Sequence, residues 1–128
     1  MTHTLFVYGT LRPGNTETMY IPGRLYDLGW YPGLVLDTPN PGLVAVERVS
    51  VDSLAPFDLY EGYHEANPEC SLYLRQEVTV LGVTGWVYVY NQKYDVNKLV
   101  PCGDWLKHKG QVRGKNCHMI DRIKRNVA

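Results

Sequence analysis

Apolar residues in this chain come in short runs cut by glycine and proline rather than in long amphipathic stretches. Thr4–Tyr8 (TLFVY) predicts a strand leading from the sheet edge into the core, stopped by Gly9 and then by Pro13-Gly14. Proline and glycine are dense from Ile21 to Gly42, which predicts short strands joined by tight turns, and Leu43–Val49 predicts a further strand. Ser53–Tyr60 changes period. Leu54, Phe57 and Glu61 recur at near-helical spacing, Ser53 is a candidate cap, and Pro56 is tolerable only near a helix's first turn. Tyr73–Leu81 and Gly85–Tyr90 predict a hairpin turned around Gly82. In its second strand Trp86, Tyr88 and Tyr90 alternate with Val87 and Val89, so one face is aromatic, the other aliphatic, and both are expected to be covered. The stripe Ile120, Ile123, Val127 predicts a short C-terminal helix. Many short strands with one or two helices define an α+β class, the strands curling into a small barrel or strongly bent sheet.

Composition narrows the setting. A chain of 128 residues fits one domain, and 45% hydrophobic with 20% charged residues suits a packed protein. No apolar run approaches the ~18–20 residues of a membrane span. No basic segment followed by an apolar stretch and a cleavage site opens the chain, so no secretory signal is read. Cys70, Cys102 and Cys117 form neither an even set nor a CxxC pair, which suits a reducing compartment. The expectation is a soluble cytoplasmic protein. Net charge is zero but unevenly spread. Residues 1–100 hold six Lys/Arg against eleven Asp/Glu, and residues 101–128 hold seven against two. A basic tail of that kind either meets nucleic acid or an acidic surface, or is a solvated terminal helix folded back on an acidic body.

Three segments can carry chemistry. Tyr8-Gly9-Thr10-Leu11-Arg12-Pro13-Gly14 follows the first strand directly. A glycine there permits positive φ and lets consecutive N–H groups converge into a nest for a carboxylate or a developing oxyanion; an ordinary loop is the alternative. Asp58-Leu59-Tyr60-Glu61-Gly62-Tyr63 ends the short helix. Asp58 and Glu61 share a helical face, and Glu61 sits at the junction with Gly62 between two tyrosines. Aromatic neighbours dehydrate a carboxyl and raise its pKa toward the range useful for proton transfer, whereas a solvated helix-end acid would be inert. Tyr73 and Arg75 project from one side of a strand and either line a pocket for a polar substrate or form a structural pair. His3, His64, His108 and His118 are scattered and Cys117-His118 has no companion at ligand spacing, so no metal is expected. Cys102 has no marked base and reads as a core residue. Phosphate cradles of the GxxxxGK[ST] or GxGxxG kind do not occur.

Taken in order, these segments resemble the γ-glutamylcyclotransferase-like (AIG2-like) family. The carriers are VYGTLR (Val7–Arg12), PGRLYDLGWYPGL (Pro22–Leu34), LAPFDLYEGY (Leu54–Tyr63), YLR (Tyr73–Arg75) and WVYVY (Trp86–Tyr90), with Gly103-Asp104-Trp105 beyond them. The resemblance implies a small, mostly antiparallel β-barrel flanked by a few short helices, with a cavity between the loop after the first strand and a glutamate. It covers residues 1–105 as a domain and leaves 106–128 as a basic C-terminal extension. The family's acid–base glutamate falls on Glu61 and its substrate-binding loop on Tyr8, Gly9, Thr10 and Leu11. Arg12, Tyr73 and Arg75 are added as candidate substrate contacts. One departure stands out. The family's Gly-Glu-aliphatic-aromatic middle strand is Val44-Ala45-Val46-Glu47 here, without the glycine that allows close backbone approach and a deep pocket.

The implied chemistry is intramolecular. In a γ-glutamyl amine or γ-glutamyl amino acid the α-amine attacks the γ-carbonyl and closes 5-oxoproline, so no enzymic nucleophile, metal or organic cofactor is required. One carboxylate moves protons and a backbone nest holds the oxyanion. The rival readings are a small-molecule binding module that has lost turnover, and a nucleic-acid partner role through the basic tail with Trp105 or exposed tyrosines stacking on bases. Neither rival involves the membrane, and oligomeric state is left open.

Overall fold

The computed structural model describes residues 2–14 and 16–110. Six strands form one sheet: β1 (His3–Val7), β2 (Thr18–Asp27), β3 (Pro32–Val35), β4 (Gly42–Val51), β5 (Tyr73–Val80) and β6 (Val83–Tyr90). Helix α1 (Ala55–Glu61) follows β4, and the short α2 (Trp105–His108) closes the described chain. Strand order is β3-β2-β4-β1-β6-β5. All pairings are antiparallel except β1 with β6, which meet in parallel at Leu5 and Trp86. The expected class is therefore present as a six-stranded half-barrel with two short α-helices.

Two expectations are corrected here. The Thr4–Tyr8 segment is not an edge strand; β1 lies between β4 and β6. Its unbroken apolar run reflects burial of both faces in the two core clusters. Leu5 and Val7 enter one core cluster with Val49, Val51 and Phe57, and Phe6 enters the other with Leu25, Leu34, Val46 and Trp105. Within Ile21–Gly42 the four-residue β3 and the tight turn before it are as expected, but the segment opens inside β2, which runs for ten residues from Thr18. Pro22 is tolerated within β2.

The hairpin follows its sequence signal. Leu81 and Gly82 form a two-residue turn with φ of 50° and 80°, the doubly positive geometry that matches strand twist. Alternation in β6 sends Tyr88 to one cluster and Val87 to the other. Helix α1 starts at Ala55, not Ser53. The Ser53 hydroxyl only accepts from the Ala55 N–H at 3.3 Å, and Leu54 occupies the cap position without a side-chain bond. Pro56 sits in the first turn, where its missing N–H costs nothing. Phe57, fully buried, anchors the helix to the β1–β4 face, a burial that contributes about 1.5–3 kcal/mol.

The two edge strands of the sheet approach one another. The Tyr73 hydroxyl on β5 donates to the Pro32 carbonyl on β3 at 2.6 Å. Gly33 makes room for this: a Cβ there would lie 3.0 Å from the Tyr90 ring. The curl encloses a small cavity. Among the described residues no helix is long and apolar enough to cross a membrane. The predicted helix over Ile120–Val127 lies outside the described residues, as does most of the 106–128 extension.

Candidate active site

The loop after β1 forms one wall of a cavity of about 190 Å³. Arg12 N–H donates to the Gly9 carbonyl at 3.0 Å and closes a turn over Thr10 and Leu11. Gly9, Thr10 and Leu11 line the cavity, and none of their N–H groups is hydrogen-bonded to a described residue. The expectation of a positive φ at Gly9 is corrected, because its φ lies outside the left-handed region. Glycine is required there for space: a Cβ would lie 2.7 Å from Pro32 Cγ. Tyr8 is buried beside it. Its hydroxyl donates to the Tyr88 carbonyl at 2.5 Å and accepts from Leu34 N–H at 3.4 Å.

Glu61 lines the same cavity. It is the last residue of α1, and the chain turns away at Gly62, whose φ of 69° stops the helix. Tyr63 N–H returns to the Asp58 carbonyl at 2.8 Å and Leu72 N–H to the Gly62 carbonyl at 2.9 Å, which fixes the helix end against β5. Glu61 is partly accessible through the cavity, yet the walls strip water from its carboxyl. Burial pushes its pKa up from 4.5 to about 8. No described residue is hydrogen-bonded to the carboxyl or paired with it, so the shift comes from dehydration alone. Tyr31, Pro32, Tyr60, Tyr73 and Tyr88 complete much of the lining. Burial raises the Tyr8, Tyr73 and Tyr88 phenols, with the Glu61 carboxylate adding to it at Tyr8 and the hydrogen bond to Asp58 adding to it at Tyr88. All three remain neutral hydroxyls.

Two expected substrate contacts do not reach the cavity. Arg75 shares a strand side with Tyr73, but its guanidinium is held by Asp58 at 2.7 Å, over the rings of Tyr63 and Trp86. Asp58 also accepts from the Tyr88 hydroxyl at 2.6 Å, so its carboxylate is fully engaged. Of the two acids on the α1 face, only Glu61 opens into the cavity. Arg12 points the other way. Its Nε lies 2.7 Å from Glu47 and its Nη1 2.9 Å from Asp104, with 3% of its surface exposed.

Sequence reasoning missed Glu47. Its carboxylate is fully buried on β4 and accepts from Arg12, from the Gly14 and Thr16 N–H groups, and from the Thr16 hydroxyl at 2.9 Å. It thereby ties the loop after β1 to the middle of the sheet. The available signal was an acid inside the apolar run Val44-Ala45-Val46. The missing middle-strand glycine has a counterpart across the chain. Ala45 N–H donates to the Gly103 carbonyl at 2.8 Å, and a Cβ at Gly103 would lie 1.9 Å from the Leu43 carbonyl oxygen. Close approach at β4 is thus made by the glycine of Gly103-Asp104-Trp105, with Asp104 capping α2.

Other expectations also change. Cys102 is exposed rather than core, and Trp105, offered as a base-stacking residue, is 1% exposed inside the core. Among the described residues no three His, Cys, Asp or Glu side chains gather as a metal-binding group. Cys117 and His118 lie outside the described residues.

The half-barrel belongs to the γ-glutamylcyclotransferase class of fold. The family model described as gamma-glutamyl cyclotransferase, AIG2-like, matches residues 5–107, and the chain belongs to that family. It is 39% identical over 126 residues to the gamma-L-glutamyl-butirosin B gamma-glutamyl cyclotransferase of Niallia circulans, covering 84% of this chain and 78% of that protein. It is 34% identical over 114 residues to the gamma-glutamylcyclotransferase family protein YtfP of Escherichia coli, covering 80% and 95%. An uncharacterized Pyrococcus horikoshii protein shares the fold at a TM-score of 0.58 and 20% identity, over 84% of this chain and 92% of that one.

Proposed function

We propose that this protein releases 5-oxoproline from γ-glutamyl amines or γ-glutamyl amino acids, with Glu61 as its acid–base group. The single observation that carries this reading is the Glu61 carboxyl, raised to about 8 by burial and lining the same cavity as Gly9, Thr10 and Leu11, whose N–H groups are bonded to no described residue. A cavity of about 190 Å³ suits the glutamyl half alone; an enclosed space of about 150 Å³ takes a benzene-sized guest. The amine half then leaves through the mouth.

The chemistry follows from those parts. A substrate α-ammonium entering beside Glu61 favours the carboxylate form, because opposite charges stabilise one another in a dehydrated site. Glu61 takes one ammonium proton, and the freed amine attacks the γ-carbonyl to form the ring C–N bond. The carbonyl oxygen becomes anionic and is held by the loop N–H groups. Glu61 then protonates the leaving nitrogen as the original C–N bond breaks and the carbonyl re-forms, and the ring nitrogen sheds its second proton through the same carboxylate to the departing amine, which leaves as an ammonium. Tyr8, Tyr73 and Tyr88 stay neutral throughout and offer no competing base. The tethered amine supplies the nucleophile, so proximity replaces covalent catalysis.

The test is incubation of purified protein with a panel of γ-glutamyl compounds, reading 5-oxoproline by mass spectrometry. Product that depends on Glu61 supports the assignment; a folded protein that releases none from any member of the panel refutes it.

A further inference from the structure

A second groove, of about 530 Å³, runs beside the cavity and shares Tyr31 with it. The two spaces also meet through a ring contact, since Tyr90 of the groove packs edge-on against Tyr73 of the cavity at 5.3 Å. Tyr31 thus stands on the wall common to both spaces.

Its charges are lopsided once pairing is counted. The carboxylates are Asp27 and Asp95, and the ammonium groups are Lys93, Lys98 and Lys109. Asp27 is saturated: His108 lies 2.8 Å from it, Lys109 3.0 Å, and the Gly29 N–H donates to it at 2.8 Å. These bonds hold its pKa at about 2 against the upward push of its partial burial. Lys109 is thus spent on Asp27 and lies over the Trp105 ring. Asp95 accepts from Asn97 N–H at 2.9 Å as the cap of the short turn at Val96–Lys98. Lys93 and Lys98 are left with no ion-pair partner among the described residues. Asp95 keeps its negative charge, so with Lys93 and Lys98 the groove carries one net positive charge, beside the ring of Tyr94, which stacks 4.4 Å from Tyr26.

We infer that this groove receives the amine half of the substrate and selects one that carries a carboxylate, as an amino acid or short peptide does, over a neutral or cationic amine. The inference rests on the γ-glutamyl reading of the cavity. Lys93 and Lys98 are its specificity-determining residues. A carboxylate beyond the scissile amide meets two charged donors there, whereas a polyamine meets two like charges against the single carboxylate of Asp95. Both lysines are exposed, so the discrimination is modest and falls with salt.

The experiment compares γ-glutamyl-alanine with γ-glutamyl-alaninamide, which differ in one charge at nearly constant volume. Wild-type protein is expected to show a kcat/KM roughly three- to thirtyfold higher for the acid, the range that two exposed charge contacts supply. Lys93→Gln/Lys98→Gln should bring that ratio close to one, mainly through KM for the acid. Lys93→Glu/Lys98→Glu should favour a γ-glutamyl diamine instead. Lys107→Gln, a lysine outside the groove, is the control for general surface charge and should keep the wild-type ratio. Equal turnover of acid and amide by wild-type protein, or parallel loss of both in the double variant, overturns the subsite while leaving the cyclotransfer reading intact. Absence of 5-oxoproline from both substrates overturns the cyclotransfer reading, and the subsite with it.

Discussion

Tyr73 and Pro32 sit on opposite edges of the same sheet, and the hydroxyl of one donates to the carbonyl of the other at 2.6 Å. This contact bridges the mouth of the half-barrel, and both residues line the cavity. Tyr73→Phe keeps the ring contacts with Tyr31 and Tyr90 but leaves the Pro32 carbonyl without its donor. The expected cost is about 1–2 kcal/mol in unfolding free energy by denaturant titration. A larger rise in KM than fall in kcat should accompany it, because the wall that positions substrate is loosened. Unchanged stability and KM would show that the bridge is incidental.

The buried pair of Arg12 with Glu47 predicts a severe stability defect. Truncating either partner strands a charge that has no water to turn to, typically costing about 3–5 kcal/mol. Arg12→Met is expected to fall in that range by chemical denaturation. Arg12→Lys should recover only part of it, since one ammonium cannot reach both Glu47 and Asp104 in the planar fork now seen. Full recovery by lysine would mean that charge alone, not geometry, holds the loop.

Two carboxylates one helical turn apart should behave differently. Glu61→Gln keeps volume but cannot exchange a proton, so kcat should drop by about 10²–10⁴-fold, and substrate affinity should weaken as the α-ammonium loses its counter-charge. Asp58→Asn acts on structure: it weakens the bonds to Arg75 and the Tyr88 hydroxyl, and should cost about 1–3 kcal/mol of stability while kcat stays within roughly tenfold. Parallel kcat and stability measurements on folded variants separate the two roles. An active Glu61→Gln enzyme would remove Glu61 from the chemistry.

The raised carboxyl makes a signed prediction in pH. An unfolded glutamate titrates near 4.5 and the folded one at about 8, so between these values the folded state binds the extra proton. Its contribution to stability is complete below about pH 4.5 and is lost as pH rises through 8. The unfolding free energy of wild-type protein relative to Glu61→Gln should therefore fall between pH 5 and pH 9, by an amount bounded at roughly 3–5 kcal/mol. In the free enzyme the base form appears over the same interval, so kcat/KM should climb through about pH 8. A stability difference that is flat with pH would place the carboxyl in water.

Leu81 is 88% exposed at φ 50° in the hairpin turn, a conformation that costs an ordinary side chain roughly 1–2 kcal/mol. Leu81→Asn, which tolerates the left-handed region, is expected to raise the thermal midpoint by several degrees without altering activity. A lower midpoint would mean that the leucine makes an unrecognised contact.

What the sequence determined by itself is local. The β5–β6 turn at Leu81-Gly82, the two-faced alternation along Trp86–Tyr90 and the helix stop at Gly62 all depend on dihedral preferences within a few residues, and each is present as expected. The family's five segments were legible for the same reason: short strings in a fixed order. Tertiary structure decided the rest. β1 lies between β4 and β6 because residues some forty and eighty positions away pair with it, and no window around Thr4–Tyr8 contains them. Arg12 and Arg75 read as free cations for a substrate, yet each is claimed by distant acids: Arg12 by Glu47 and Asp104, 35 and 92 positions off, and Arg75 by Asp58, 17 away. Glu61 and Asp58 look alike along the chain; one is dehydrated by walls drawn from four elements and the other is neutralised by a salt bridge. Burial and pairing are properties of the assembled surface, so only the folded chain could tell these acids apart.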